Sequence, residues 1–228
     1  MKNLKVLNID STQISIFSRV LCYLPHLVKL SICENLIQSL PKDIKELKKL
    51  QDFSISNNKL IFLPVQLSQL TKLKVLRADD NKLEFLNVLT QLPAKIHRLK
   101  HLKEFSVSRK QLDSLGEQIP HLKDLFKIGF SGNALRYIPV ELKNCIRITK
   151  ADLSNNKLSQ FPNALCALFD LKPLNLSGNS ISEIIPGISD IKDLEQLELK
   201  KNKLSSFSSI PLQISSLEVI KDLNVSNN

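Results

Sequence analysis

The chain has 228 residues, of which 43% are hydrophobic, enough for a substantial core in one large domain or at most two. Its 24% charged residues argue against disorder, and its formal charge of +10 would attract nucleic acid, acidic protein or anionic lipid without choosing among them. No run of about 18 apolar residues predicts a membrane span, and Met1–Asn8 lacks the apolar stretch and cleavage site of a signal peptide.

One pattern, L-x-x-L-x-L-x-x-N-x-L, recurs from end to end. It opens at Leu4, Leu7, Ile9, Thr12 and Ile14, with Thr in the Asn place. It returns at Leu27, Leu30, Ile32, Asn35 and Ile37, then at Leu50, Phe53, Ile55, Asn58 and Leu60, then at Leu73, Leu76, Ala78, Asn81 and Leu83. The fifth, Leu102, Phe105, Val107, Lys110 and Leu112, carries Lys where Asn is expected. Four regular copies follow, with their asparagines at Asn133, Asn156, Asn179 and Asn202, and a last one stops at Asn228. Ten strands are therefore predicted, nine of them in complete repeats.

Successive copies start 23 residues apart, except for steps of 29 from Leu73 to Leu102 and 26 from Leu194 to Ile220. Six residues are thus inserted around Asn87–Gln91 and three near Ser206–Ser209, and both are expected to form loops on one face. Leu and Ile at the first three pattern positions must point inward and stack on their equivalents one repeat away, because a single repeat cannot bury that face. Asn35, Asn58, Asn81, Asn133, Asn156, Asn179 and Asn202 sit where the chain leaves the strand. Their amides can donate and accept, so a buried ladder bonded to backbone is expected, interrupted at Lys110.

The second half of most repeats has a Pro followed by apolar residues three apart, as in Pro41, Ile44, Leu47 and Leu50. Three-residue spacing predicts a short helix or 3₁₀ segment on the outer side, with Pro fixing φ at its entry. The fold expected is an α/β repeat solenoid: one parallel sheet on the concave side and short helices or 3₁₀ segments on the convex side.

These repeats resemble the leucine-rich-repeat family, and in particular its intracellular 23-residue class of Ras-suppressor, Scribble and Erbin type. The runs Leu40–Leu47 and Leu73–Asn81 are similar to repeats of the leucine-rich repeat and death-domain-containing family, although no death-domain segment is seen. The resemblance implies a horseshoe over residues 1–228 and a non-enzymatic scaffold that binds a protein in intracellular signalling. Starting on a strand and stopping inside one, the chain is expected to be a fragment of a longer array, monomeric unless its uncapped ends associate.

If the leucines face inward, alternate residues form the concave face. Its first four strands offer Asp10, Glu34, Asp52, Asp79 and Asp80 against Lys29 and Arg77, while strands five to nine are net basic. The expected partner patch is Arg77, Asp79, Asp80, Glu104, Ser106 and Arg109, where mixed charge allows selective Arg–carboxylate pairing. A competing reading places nucleic acid or anionic membrane on convex basic residues such as Lys95, His97, Arg98, Lys100, His101 and Lys103. No catalytic residue, cofactor or metal site is expected. Asp79–Asp80 reads as a charged patch, and Cys22, Cys33, Cys145 and Cys166 form no ligand spacing with the histidines. Scattered thiols suit a reducing compartment, and the chain is expected to be cytoplasmic.

Overall fold

The computed structural model describes residues 3–83, 95–108 and 112–228. Each repeat contributes one three-residue strand: β1 (Val6–Asn8), β2 (Lys29–Ser31), β3 (Asp52–Ser54), β4 (Val75–Arg77), β5 (Glu104–Ser106), β6 (Lys127–Gly129), β7 (Lys150–Asp152), β8 (Pro173–Asn175), β9 (Gln196–Glu198) and β10 (Asp222–Asn224). They form one open sheet in chain order, every neighbouring pair parallel. At about 4.8 Å per strand the sheet spans roughly 43 Å.

The register aligns the pattern positions one above another. Leu30, Phe53, Leu76, Phe105, Ile128, Ala151, Leu174 and Leu197 are successive partners, and all are buried. At the two ends the column is less covered: Leu7 is partly exposed and Leu223 exposed. Inside the stack Phe105 and Phe130 meet edge to face, with centroids 5.6 Å apart.

The return half of each repeat is a 3₁₀ turn among the described residues, as at Lys42–Glu46, Val65–Gln69, Val140–Asn144 and Asn163–Ala167. The spacing explains the choice. Apolar side chains at Ile44, Leu47 and Leu50 recur every three residues, matching about 3.0 residues per 3₁₀ turn, so one narrow stripe faces the core. Pro41, Pro64, Pro139 and Pro162 stand just before these turns with φ between −61° and −71°. The three-residue insertion folds as an extra 3₁₀ turn, Phe207–Ser209, pinned by the bond from Ile184 N–H to Ser209 O. The insertion at Asn87–Gln91 and the ladder break at Lys110 lie outside the described residues.

The seven asparagines are 2–9% exposed and each is bonded to backbone on two repeats. Asn58 is representative: Nδ2 donates to Ile32 O one repeat back at 2.7 Å and to Ile55 O and Ser56 O of its own turn, while Oδ1 accepts from Ile37 N–H. At the first repeat Asn35 Oδ1 accepts from the Thr12 hydroxyl and the N–H groups of Thr12 and Ile14.

Among the described residues, the one before each Asn position adopts left-handed backbone. Ser11, Glu34, Asn57, Asp80, Gly132, Asn155, Gly178, Lys201 and Asn227 have φ between 51° and 68°. This reversal aims the N–H of residue 34, 57, 132, 155 or 178 at a carbonyl of the next repeat, as in Gly178 N–H to Lys200 O at 2.7 Å. A Cβ on Gly178 would meet Asn155 Oδ1 at 2.4 Å and Asn155 Cα at 3.3 Å. Gly178→Val is expected to cost about 1–3 kcal/mol, since β-branched residues resist this region. Gly178→Asn should cost clearly less, because Asn57, Asn155 and Asn227 already hold the equivalent conformation. Both variants force the Asn155 side chain aside, so equal losses in denaturant titrations would count against a backbone origin.

Candidate functional site

The strand register fixes which side chains share the concave face of the sheet. The middle column reads Asn8, Ser31, Ser54, Arg77, Ser106, Gly129, Asp152, Asn175, Glu198 and Asn224. Small polar residues dominate it, and its charges lie from β4 to β9.

Arg77 is held between carboxylates on both neighbouring strands. Nη2 donates to Glu104 Oε2 at 2.6 Å, and Nη1 lies 3.5 Å from Asp52 Oδ1. Lys29 approaches the other Asp52 oxygen at 3.4 Å, so an alternating line of charge crosses β2 to β5. One step further along the strands, Ser106 Oγ donates to Asp79 Oδ2 at 2.5 Å, and Asp79 N–H donates to Ser56 Oγ. Asp79 Oδ1 is buried with no hydrogen-bond partner among the described residues. An unsatisfied buried acceptor is costly, and a water, an ion or a partner's donor would satisfy it.

Thus Arg77, Asp79, Glu104 and Ser106 come together. Asp80 occupies the left-handed position beside them, with its N–H on Ser108 O at 3.3 Å. Arg109 lies outside the described residues. Gly129 contributes no side chain to the column, and beside it an open depression of about 210 Å³ is lined by Arg77, Asp79, Glu104, Ser106, Lys127 and Asp152. Asp52 was not singled out from sequence as part of this patch. Aligning the first residue of each strand at the repeat step would have placed it next to Arg77.

The basic convex run alternates as its core residues require. Ile96, Leu99 and Leu102 are buried, while Lys95, Arg98, Lys100, His101 and Lys103 are exposed. His101 Nδ1 lies 3.5 Å and Arg147 Nη1 3.0 Å from an Asp124 carboxylate oxygen, which sets an acidic group beside this run. Among the described residues no cluster of three or more His, Cys, Asp or Glu is placed to hold a metal, and no helix is long and apolar enough to cross a membrane.

Comparison with known proteins agrees with this architecture. Residues 25–83 match the leucine-rich repeat family model. A solved LRR protein of Leptospira interrogans superposes with a TM-score of 0.89 at 28% identity, over 99% of this chain and 55% of its own. The chain carries the leucine-rich-repeat fold. PEPR1, solved with AtPEP1, gives a TM-score of 0.83 at 25% identity over 98% of this chain and 32% of its own. The LRR ectodomain of the Arabidopsis thaliana membrane receptor kinase GASSHO1/SCHENGEN3, in complex with Casparian strip integrity factor 2, gives 0.78 at 26% identity over 100% and 27%. This leucine-rich-repeat chain therefore spans about half the length of the first of these and under a third of the other two. No curated protein matches its sequence significantly.

Three of the four cysteines are core side chains. Cys22, Cys145 and Cys166 are buried, and burial pushes each thiol up to about 11. Cys145 sits against the carbonyls of Ile119, Pro120 and Leu122. Cys33 is the partly exposed one, on the concave side near the Ser31 hydroxyl. At pH 8 the native chain is expected to take up one equivalent of iodoacetamide rapidly, at Cys33, and four after unfolding. Rapid uptake of two or more by the native chain would show that a repeat opens.

Proposed function

We propose that this chain is a non-enzymatic scaffold of the intracellular 23-residue leucine-rich-repeat class, acting in cytoplasmic signalling and taking a protein partner on its concave face at β4 and β5. The observation that carries the reading is the patch of Arg77, Asp79, Glu104 and Ser106, in which Asp79 keeps a buried acceptor without a donor. A partner's N–H or ammonium would satisfy that oxygen, and its carboxylate could exchange with Glu104 or Asp52 on Arg77. Asp80 borders the same patch, and Arg109 is kept in the proposal from the sequence pattern alone. Two structural neighbours are proteins solved with another molecule, AtPEP1 and Casparian strip integrity factor 2, which supports a binding role for the fold. The 23-residue step and the thiols buried as core residues support the intracellular assignment.

The test starts from a partner captured with the full chain and then purified. Reversing Arg77 would crowd three carboxylates together, so Arg77→Gln with Asp79→Asn is the informative pair. It is expected to weaken binding about tenfold, equivalent to roughly 1.4 kcal/mol, with little change in melting temperature. Lys45→Glu with Lys72→Glu, on the outer side, should leave binding unchanged. If the outer pair abolishes binding and the concave pair has no effect, the concave reading is wrong.

A further inference from the structure

The first residue of each strand forms a second column on the concave face: Val6, Lys29, Asp52, Val75, Glu104, Lys127, Lys150, Pro173, Gln196 and Asp222. Its charges up to β5 are matched, Lys29 with Asp52, and Arg77 of the middle column with Asp52 and Glu104. Lys127 and Lys150 are not. They are direct register partners on β6 and β7, both exposed, and among the described residues neither has a carboxylate within ion-pair distance. Glu104 is the register partner of Lys127 on the other side, but its carboxylate is taken by Arg77. Like charges directly opposite each other destabilise a sheet, so this pair is an unspent site for a counter-charge.

The next strand begins with Pro173, which has no N–H. Thr149 O therefore accepts one backbone N–H, from Lys172, where Phe126 O accepts two, from Thr149 and Lys150. Only two register pairs join β7 to β8. Proline is disfavoured in a central strand. Here its ring adds an apolar shelf to an open depression of about 300 Å³, lined by Lys127, Lys150, Asp152, Pro173, Asn175 and Gln196.

We infer that this depression receives an extended acidic segment of a protein partner, with carboxylates on Lys127 and Lys150 and an apolar side chain on Pro173. The inference rests on the concave-face reading above and specifies the chemistry of the partner. The geometry fits: neighbouring strands lie about 4.8 Å apart, and alternate side chains of an extended segment lie about 6.7 Å apart, a difference that two flexible lysine stems absorb. Charge complementarity favours a protein over nucleic acid. Glu104, Asp152 and Glu198 share this face with the two lysines and would repel a backbone charged at every residue, whereas an acidic protein segment can set donors against them.

The probe is a fluorescein-labelled dodecapeptide with a central Glu-Leu-Glu in a Gly/Ser frame, compared with Gln-Leu-Gln, Lys-Leu-Lys and Glu-Gly-Glu versions. Binding is read by anisotropy with the full chain. The Glu-Leu-Glu peptide is expected to bind about tenfold tighter than the Gln or Lys versions and measurably tighter than Glu-Gly-Glu. Lys127→Glu with Lys150→Glu should invert the preference toward Lys-Leu-Lys, a gain that an unfolded variant could not show, while Lys45→Glu with Lys72→Glu should leave it unchanged. Equal binding of Glu and Gln peptides, no binding of any peptide, or an equal loss with the outer pair overturns the inference. So does single-stranded DNA binding that depends on Lys127 and Lys150 when the acidic peptide does not bind. If the captured partner responds to the Arg77 and Asp79 pair while the peptides show no charge preference, the concave reading stands and the acidic-segment inference falls. If no concave variant affects partner or peptide, both fall.

Discussion

Phe130→Ala is expected to destabilise the chain by about 3–5 kcal/mol in denaturant titration, the usual range for deleting a buried aromatic ring. Phe130 is fully buried and packs edge to face on Phe105 of the preceding repeat, with an interplanar angle of 85°. Its loss therefore removes ring–ring contact as well as area withdrawn from water. The cavity cannot easily collapse. On the next residues of the chain, Gly132 N–H is bonded to Ser154 O, and Asn133 ties Val107 O to Phe130 O. Phe207→Ala provides the contrast, because Phe207 is 94% exposed on the extra 3₁₀ turn and its truncation should fall within about 0.5 kcal/mol of the parent. A Phe130→Ala loss below about 1 kcal/mol would mean that the stack repacks between repeats.

That contrast also shows what the repeat pattern can and cannot convey. Both phenylalanines are visible in the sequence, and only the 23-residue step distinguishes them. Phe130 falls on an inward position of the pattern and Phe207 in an inserted segment. The same periodicity places every strand, and the three-residue apolar spacing after Pro41, Pro64 and Pro162 foretells the outer turns, because 3₁₀ geometry repeats at that interval. The left-handed column is only partly legible by such reasoning. Asn57, Asp80, Gly132, Asn155, Gly178 and Asn227 are residue types that tolerate this region, but Ser11, Glu34 and Lys201 are not, so at those three positions the backbone bonds to the next repeat impose a conformation the side chain does not announce.

The candidate patch was only partly legible for a different reason. Period-two alternation puts Arg77, Asp79, Glu104 and Ser106 on one face, but pairing depends on register and rotamer. Register decides that Asp52 stands on the opposite flank of Arg77 from Glu104. Side-chain direction decides that Glu104 turns to Arg77 and leaves Lys127 without a counter-ion among the described residues. Arg109, Lys110 and the insertion at Asn87–Gln91 lie outside the described residues and remain expectations from sequence.

Asn156→Ala is expected to cost about 1–3 kcal/mol, lowering the melting temperature by roughly 2–12 °C for a chain of this size. Asn156 Nδ2 donates to Phe130 O and Leu153 O, each at 2.9 Å, and to Ser154 O at 3.1 Å, while Oδ1 accepts from Leu135 N–H at 3.1 Å. Alanine strands these backbone groups in a place water reaches poorly. Asn156→Asp separates shape from hydrogen bonding: it keeps the volume and the acceptor but sets a carboxylate oxygen against three carbonyls, so it should cost at least as much as alanine. Asn144→Ala, at an exposed position, should be neutral. The damage should also be local, because each ladder amide bridges its own turn and the one before it. Hydrogen exchange at Leu135 N–H should accelerate, while Ile181 N–H, held by Asn202 at 3.0 Å, keeps its protection. Uniform acceleration across both amides would instead mean that the variant lowers global stability alone and that Asn156 is not the clamp joining its repeat to the preceding one.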